Sequence, residues 1–552
     1  MENQRVFLAS ALAVILLMMW QEWEQDYPSV ETDNTFVSTQ STPDNQSLTQ
    51  PQTGDQEVPN APVDALIPRA EAAANSIDQQ QRIRVITDLL DVEIDTAGGD
   101  IRKVGLIQHH VSLEDDSPMI LMNDFGNEIF IAQSGLLTTA QTKQKLPTHK
   151  AVFQSTREHY RLEEGESEVR VPITWTQDNI KVTKTFIFYP HSYTVDIEYN
   201  IQGFEGELPV RLYSQFQRSR PESSMGSNFI YTYTGGVIYD DKIKYEKVDF
   251  DDMDEKPLSR DLDGGWSAMI QHYFLAAWLP EQGKINHYYS KALGNDLYMF
   301  GVMSPLKTIS AENNQLTTRL YMGPKEQKRL EKVAEGLKLT VDYGVLTFIA
   351  QPIFWLLHQI HDIVKNWGWA IIFVTVLIKL LFYKLSETSY KSMASMRRLQ
   401  PRLQTLKERY GEDKAKMQQK LMELYKTEKI NPMGGCLPVL LQIPVFISLY
   451  WVLLESVELR QAPFMLWIND LSSQDPYYIL PLLMGATMLI QQKLNPAPMD
   501  PIQQKVMMAL PIVFTVFFIF FPAGLVLYWV VNNALSIIQQ SIIIKRVEAE
   551  KK

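Results

Sequence analysis

The chain has 552 residues, enough for several domains, and its net charge of −12 hides two halves of opposite sign. Residues 345–552 carry 21 Lys and Arg against 14 Asp and Glu, a net +7, which leaves −19 on the first 344. The halves therefore face different surroundings. A single cysteine, Cys436, excludes an intrachain disulfide and argues against redox chemistry, so the outer part must fold by its core alone.

The apolar run from Val6 to Trp20 follows Arg5 and precedes Glu22, Glu24 and Asp26. No small-residue cleavage pattern follows it, which predicts an uncleaved transmembrane anchor over 1–25. Residues 26–81 are rich in Ser, Thr, Pro, Gln, Asn and Asp and offer too few large apolar side chains to offset their ordering entropy; they read as a flexible linker. From Arg82 alternation takes over. Tyr193, Val195, Ile197 and Tyr199 fall on one face, Ile180, Val182, Phe186 and Phe188 share a parity, and Tyr189-Pro190-His191-Ser192 turns between the two runs. Similar short strands, punctuated by Gly98-Gly99, Gly235-Gly236 and Gly264-Gly265, predict a large antiparallel β-sandwich over 82–322. Pro324 then suits a helix start, and Leu330, Val333, Ala334 and Leu337 give a closing helix over 323–343 its apolar face.

Residues 344–366, aromatic and broken by Pro352, predict an amphipathic helix lying in the membrane interface. Its His358 and His361 have metal-compatible spacing but no third ligand in view, and read better as solvated interfacial side chains. Trp367 to Tyr383 is a membrane-length run that carries one lysine, Lys379. A charge there costs roughly 2.5–3.5 kcal/mol on insertion scales, so it usually faces a partner or a wet cavity. Thr375 and Tyr383 lie one turn to either side and predict a polar face; the competing reading is that Lys379 snorkels to the headgroups.

Residues 384–432 carry 12 Lys and Arg against 6 Asp and Glu, which places them in the cytoplasm. Met393, Met396, Leu399, Leu403 and Leu406, then Met417, Leu421 and Leu424 after the Tyr410-Gly411 break, predict a basic, Met-bearing helical hairpin. Over 433–544 four further transmembrane helices follow: Leu437 to Leu454, Tyr477 to Gln491, and two within Val506 to Ile544, divided at Pro522-Ala523-Gly524. The short loops alternate in charge sign, and a cytoplasmic tail closes the chain over 545–552. The fold class is a polytopic α-helical membrane protein of about six transmembrane helices, five forming the core, with a large all-β outer sandwich and both termini in the cytoplasm.

Absent chemistry constrains the function. Every aspartate after Val345 falls in a predicted loop or at an interface, so paired intramembrane carboxylates are missing. Neither a phosphate-binding Gly-rich loop nor a metal-ligand cluster is evident, and no coupled ionisable groups or internal repeat suggest a transporter. The spans offer Lys379 among neutral polar groups: Thr375, Gln442, Thr487, Thr515, Asn532 and Asn533. An enzyme is not expected, nor a cofactor, nor a direct nucleic-acid function.

Four stretches carry a resemblance: Asn431-Pro-Met-Gly-Gly-Cys-Leu-Pro438 running to Gln442-Ile-Pro444, Ser456 to Pro463 with Trp467, Asp475 to Pro481, and Phe521 to Tyr528. With them the chain resembles the YidC family of bacterial inner-membrane insertases, whose relatives serve in mitochondria and chloroplasts. Val85 to Leu90 and Gly264 to Ala268 are similar to that family's periplasmic β-supersandwich. The resemblance implies a hydrophilic groove, open to cytoplasm and lipid, at Lys379, Thr375, Gln442 and Trp529, where the family often has tyrosine at the last position. It also implies an apolar slide for departing helices at Phe446, Phe514 and Phe517. Nascent membrane proteins, the lipid bilayer, the Sec translocon and the ribosome are the implied partners, although the long basic ribosome-binding tail of some relatives is lacking. Arg397 and Arg398 of the hairpin are candidates for cytoplasmic recruitment. The alternative is a membrane-anchored envelope binding protein acting through its sandwich, which an exposed patch of tryptophans there would favour.

Overall fold

The computed structural model describes residues 81–126, 128–221, 232–242, 244–410, 413–428, 437–495 and 501–549. The expected anchor over 1–25, the linker to residue 80, Asn431 to Cys436 and the last residues of the tail lie outside these. The chain divides into two compact units between Val341 and Asp342.

The first unit is built from two sheets, of 11 and 8 strands. The strands Ile180–Phe188 and Thr194–Gln202 pair antiparallel with Phe186 opposite Ile197, and Val182, Phe186, Val195, Ile197 and Tyr199 are all buried. Period-two alternation puts these side chains on one face, and burying that face against a second sheet is what stabilises a sandwich. Among the described residues pairing is antiparallel except where Arg82–Ile86 runs parallel to His159–Arg161. Two of the three glycine pairs make turns: Gly98 and Gly99 have φ of +77° and +59°, Gly264 and Gly265 of +66° and +78°. A side chain on Gly265 would also meet Tyr239 O at 1.9 Å. The third pair is a correction, because Gly235 and Gly236 open the strand Gly235–Asp240. Their role there is close packing, since a Cβ on Gly236 would meet Phe300 at 3.0 Å.

Lys184 occupies the inward parity of its strand and is fully buried. Its ammonium donates to Gly99 O at 2.7 Å and to Gly98 O and Ser134 O at 3.3 Å, tying one sheet to the other. Phe186 and Tyr199 lie 5.2 and 5.4 Å from it, ring faces toward the charge. Burial pulls this amine down to about 7, only partly opposed by Asp100.

Among the described residues two short helices belong to this unit, α1 (Phe250–Glu255) and α2 (Gln327–Val333). The single closing helix expected over 323–343 is a correction. Pro324 ends the strand Gln315–Pro324, α2 has seven residues and stops where Ala334 turns extended at φ −155°, and a 3-10 turn at Leu337–Thr340 follows Gly336, whose φ is +72°.

The second unit is helical. Helix α3 (Thr347–Val364) buries Ala350, Ile353, Phe354 and Leu357 and leaves Phe348, Trp355 and Ile363 exposed. Helix α4 (Trp367–Leu381) starts where Asn366 accepts from Trp369 N at 3.1 Å. The span expected over 367–383 is corrected: α4 ends at Leu381, and α5 (Tyr383–Arg398) leaves it at 67°. The hairpin expected over 384–432 is corrected with it. Only α6 (Gln400–Tyr410) and α7 (Lys414–Thr427) form the hairpin, around Leu399, Leu403 and Leu421, while α5 packs on the helices below.

Three apolar helices follow, α8 (Leu437–Glu455), α9 (Ile479–Leu494) and α10 (Pro501–Phe518), and then α11 (Ala523–Ala549). Helix α11 packs on α4, α5, α8 and α9, α9 also on α10, and α3 on α4 and α8. Among the described residues, Ala523–Val547 alone is long and apolar enough to cross a membrane as one helix; α4 with α5 does so as a bent pair.

The loop between α8 and α9 anchors three helix ends. Asp475 accepts from Trp467 Nε1 at 3.0 Å, Tyr477 N at 3.1 Å and Leu480 N at 2.7 Å, so a buried carboxylate satisfies the first turn of α9. Ser473 O and Leu471 O accept from Ala523 N at 2.7 Å and Gly524 N at 2.9 Å, doing the same for α11. Asn366 donates to Phe464 O at 3.0 Å at the start of α4, where a Cβ on Gly368 would strike the Phe464 ring at 2.0 Å.

Candidate functional site

Five helices, α5 and α8 to α11, surround a cavity of about 320 Å3. Its wall is polar on α5 (Ser386, Ser389, Tyr390), α9 (Gln491, Gln492, Asn495) and α11 (Asn532, Asn533, Ser536), with Gln442 from α8. Among the described residues no Asp or Glu lines it. Such a concentration of amides and hydroxyls inside an apolar bundle needs partners or water, because an unpaired polar group in an apolar surrounding costs a few kcal/mol.

Lys379 stands at the edge of this cavity. Its side chain is 8% exposed, and Nζ donates to Ser536 Oγ at 2.8 Å; Ser536 lines the cavity and itself donates to Asn532 O at 2.7 Å. The Tyr390 hydroxyl bonds to the same serine. The ammonium is thus anchored within the bundle by a hydroxyl of α11.

The other expected groove residues divide. Gln442 and Trp529 line the cavity. Thr375 is not brought there: it is buried, and its hydroxyl donates to Ile371 O of its own helix at 2.7 Å. Tyr383 leaves the face of Lys379 because the helix breaks before it. Trp529 Nε1 is buried without a hydrogen-bond partner among the described residues, and its ring meets Phe446 at 4.8 Å and Phe518 at 5.7 Å. Phe518 in turn touches Phe514 at 6.1 Å and Phe517 at 5.8 Å. The three residues expected to form a slide therefore join one aromatic path that starts at the cavity wall with Phe446 and reaches the surface at Phe517, 40% exposed. Arg397 is exposed, and Arg398 donates to Val547 O, which ties α5 to the end of α11.

Sequence reasoning missed Ser386, Ser389, Tyr390 and Met393, which line the cavity from a stretch assigned to the cytoplasmic arm. The i, i+3, i+4 spacing of Ser386, Ser389 and Tyr390 was the available signal. It also missed Ser536. His358 and His361 meet edge to face at 6.3 Å, and each also engages another neighbour: His358 Nδ1 lies 3.2 Å from Asp362, and His361 stacks on Trp367 at 3.9 Å. None of the sandwich tryptophans is exposed, Trp175 being half-buried and Trp266 and Trp278 buried, so the tryptophan patch that would favour an envelope binding protein is not present.

An apolar helical unit with a polar cavity, free of Asp and Glu among the described residues that line it, and a large β-sandwich unit are together the features of a membrane protein with a sizeable domain outside the bilayer. Residues 359–551 match the family described as 60Kd inner membrane protein, and residues 82–356 match the YidC periplasmic domain. The chain is 52% identical over 562 residues to the membrane protein insertase YidC of Alkalilimnicola ehrlichii, covering 100% of this chain and 96% of that one. It is 49% identical to those of Thioalkalivibrio sulfidiphilus, with 99% of each chain covered, and Nitrosococcus oceani, with 100% of each. The chain belongs to the YidC family of membrane protein insertases; it is an inner-membrane protein with a periplasmic domain that is largely β-sandwich.

Proposed function

We propose that the cavity is the loading site of the insertase, taking the polar flank of a nascent membrane protein while its apolar segment leaves along Phe446, Phe514 and Phe517. The observation that carries this is the junction of a lysine-edged polar cavity with an aromatic path to the surface, because the two flanks of a membrane-bound segment need those two surroundings at once. Lys379 biases the choice of flank. A carboxylate about 6 Å from it gains roughly 3 kcal/mol at an effective dielectric of 20, enough to recruit without trapping. The membrane potential adds about 2.3 kcal/mol per negative charge per 100 mV toward outward passage.

Helix length supports the same reading. The 15 residues of α4 and 16 of α9 span about 22 and 24 Å, short of a hydrocarbon core of about 30 Å, so the bilayer beside them thins and the barrier to a polar flank falls. In our topology both termini are cytoplasmic, six helices span with the N-terminal anchor included, the cavity opens to the cytoplasm, and the Asp475 loop caps the outer end. Insertion is then not catalysis of a covalent step; burial of the substrate's helix in lipid drives it, with the Sec translocon and ribosome as suppliers of chain. Site-specific photocrosslinkers at Gln442 and Phe517 test this: a stalled nascent chain should label Gln442 from its polar flank and Phe517 from its apolar segment. Labelling of neither position by an actively inserting chain would overturn it.

A further inference from the structure

The cavity amides fall into two sets. Asn533 Nδ2 donates to Thr487 at 3.3 Å and Gln540 Nε2 to Asn495 at 3.0 Å, so these amides brace α11 against α9. Gln442 on α8, Gln491 and Gln492 on α9 and Asn532 on α11 line the same cavity, and their side chains make no hydrogen bond among the described residues. Each of these open amides offers two N–H donors and a carbonyl acceptor. The formal charge beside them is already engaged, with Lys379 donating to Ser536.

A carboxylate would use only the donors of such a wall and leave its carbonyls facing negative charge. An ammonium would use only the carbonyls. The group that uses both, without charge, is the peptide unit, which presents N–H and C=O along every extended chain. An extended main chain is also what a membrane-bound flank cannot leave unpaired, since each unsatisfied peptide group in the bilayer interior costs several kcal/mol. A volume of about 320 Å3 corresponds to about ten waters at ~30 Å3 each, room for a short stretch of backbone in place of solvent. We propose that the open amides Gln442, Gln491, Gln492 and Asn532 recognise the main chain of the entering segment, substituting for water at its N–H and C=O groups. Side-chain sequence then matters little to entry apart from the preference for acidic flanks that Lys379 adds. The inference rests on the reading of the cavity as the loading site.

The test changes the substrate, so no variant of the protein need fold. A single-span substrate is made by peptide ligation with a neutral flank of alanines or of N-methylalanines, which removes donors at equal charge, and carries a photocrosslinker in that flank. With the full chain in proteoliposomes, the N-methylated flank should insert at least tenfold more slowly, about one net hydrogen bond's worth. Replacing Gln442 and Asn532 by leucine should slow the ordinary flank and change the N-methylated one much less. Equal insertion of both flanks by the parent chain, with crosslinks to the cavity still forming, would overturn main-chain recognition and leave the loading site standing. Insertion of both without any cavity crosslink would overturn the two together.

Discussion

Lys379 Nζ donates to Ser536 Oγ at 2.8 Å, so the one cation in α4 is held by a hydroxyl from α11, 157 residues along the chain. A hydrogen bond to a charged group contributes about 1.5–3 kcal/mol. Ser536→Ala should therefore destabilise the helical unit by that order, whereas Lys379→Ala followed by Ser536→Ala should cost little more than Lys379→Ala alone. A double-mutant cycle on thermal unfolding in detergent measures the coupling. Additive losses would mean that the two side chains do not act as a pair.

The sign of the charge at residue 379 should matter to substrates. Lys379→Arg should keep insertion, Lys379→Ala should slow acidic-flank substrates more than neutral ones, and Lys379→Glu should be worst because attraction of roughly 3 kcal/mol becomes repulsion. The readout is insertion of paired substrates that differ only in flank charge, with membrane levels of each variant matched. Equal slowing of both substrates would assign Lys379 to structure and not to recruitment.

Removal of the hairpin has a boundary set by the fold. Replacing residues 400–427 with a short Gly-Ser linker removes α6 and α7 and their contact at Leu403 and Leu421 but leaves Met393 and Tyr390 in the cavity wall. Hydrogen exchange of α9 and α11 should be unchanged while substrate capture falls. Extending the deletion back to Ser386 should instead expose the cavity and raise exchange in α11, because α5 packs on it.

Asp475 should behave as a positioning residue for the bundle. Asp475→Ala leaves Trp467 Nε1, Tyr477 N and Leu480 N without their acceptor, and should cost about 3 kcal/mol or more. Asp475→Asn, which keeps one acceptor oxygen, should recover part of the loss. Tm in detergent reads both; an Asp475→Ala variant as stable as the parent would show that the loop is held by other contacts.

Lys184 makes the sandwich sensitive to pH in a defined direction. Burial holds its amine at about 7, against 10.5 for an ordinary lysine, so between these values the unfolded chain binds the proton more strongly. Stability should rise with pH across that window and level off below it. Protection of the amides of Ile180–Phe188, corrected for intrinsic exchange and measured in the full chain, should follow this rise, and Lys184→Met should flatten it. An unchanged slope in that variant would place the titration on another group.

Local pattern made much of the sandwich legible. Alternation at Ile180, Val182, Phe186 and Phe188, and at Val195 to Tyr199, is a property of neighbours two apart, and it identified strands, turn and buried face. It passed over Lys184, which has the right parity and the wrong chemistry, because only the opposite sheet's carbonyls explain a buried amine. Gly235 and Gly236 were read as punctuation for a related reason: a glycine required by a neighbour's ring, here Phe300, looks in sequence like a glycine required by a turn.

In the helical unit, hydropathy and one anomalous charge were enough to single out Lys379, since a cation in an apolar run is costly wherever the run ends up. The resemblance to the family pointed to Gln442, Trp529, Phe446, Phe514 and Phe517; the structure brings Gln442 and Trp529 to one cavity and joins the phenylalanines to Trp529 directly or through Phe518. The sequence by itself determined which segments are apolar, which are basic and where the lone lysine sits, because these depend on composition within a few turns. Only the tertiary structure decided that α4 breaks at Phe382, that α5 turns Ser386 and Tyr390 into the cavity while Thr375 bonds its own helix, and that Ser536 receives the ammonium. Which hydroxyl meets which charge depends on helices packed from distant parts of the chain, and helical spacing constrains only side chains within three or four residues of one another.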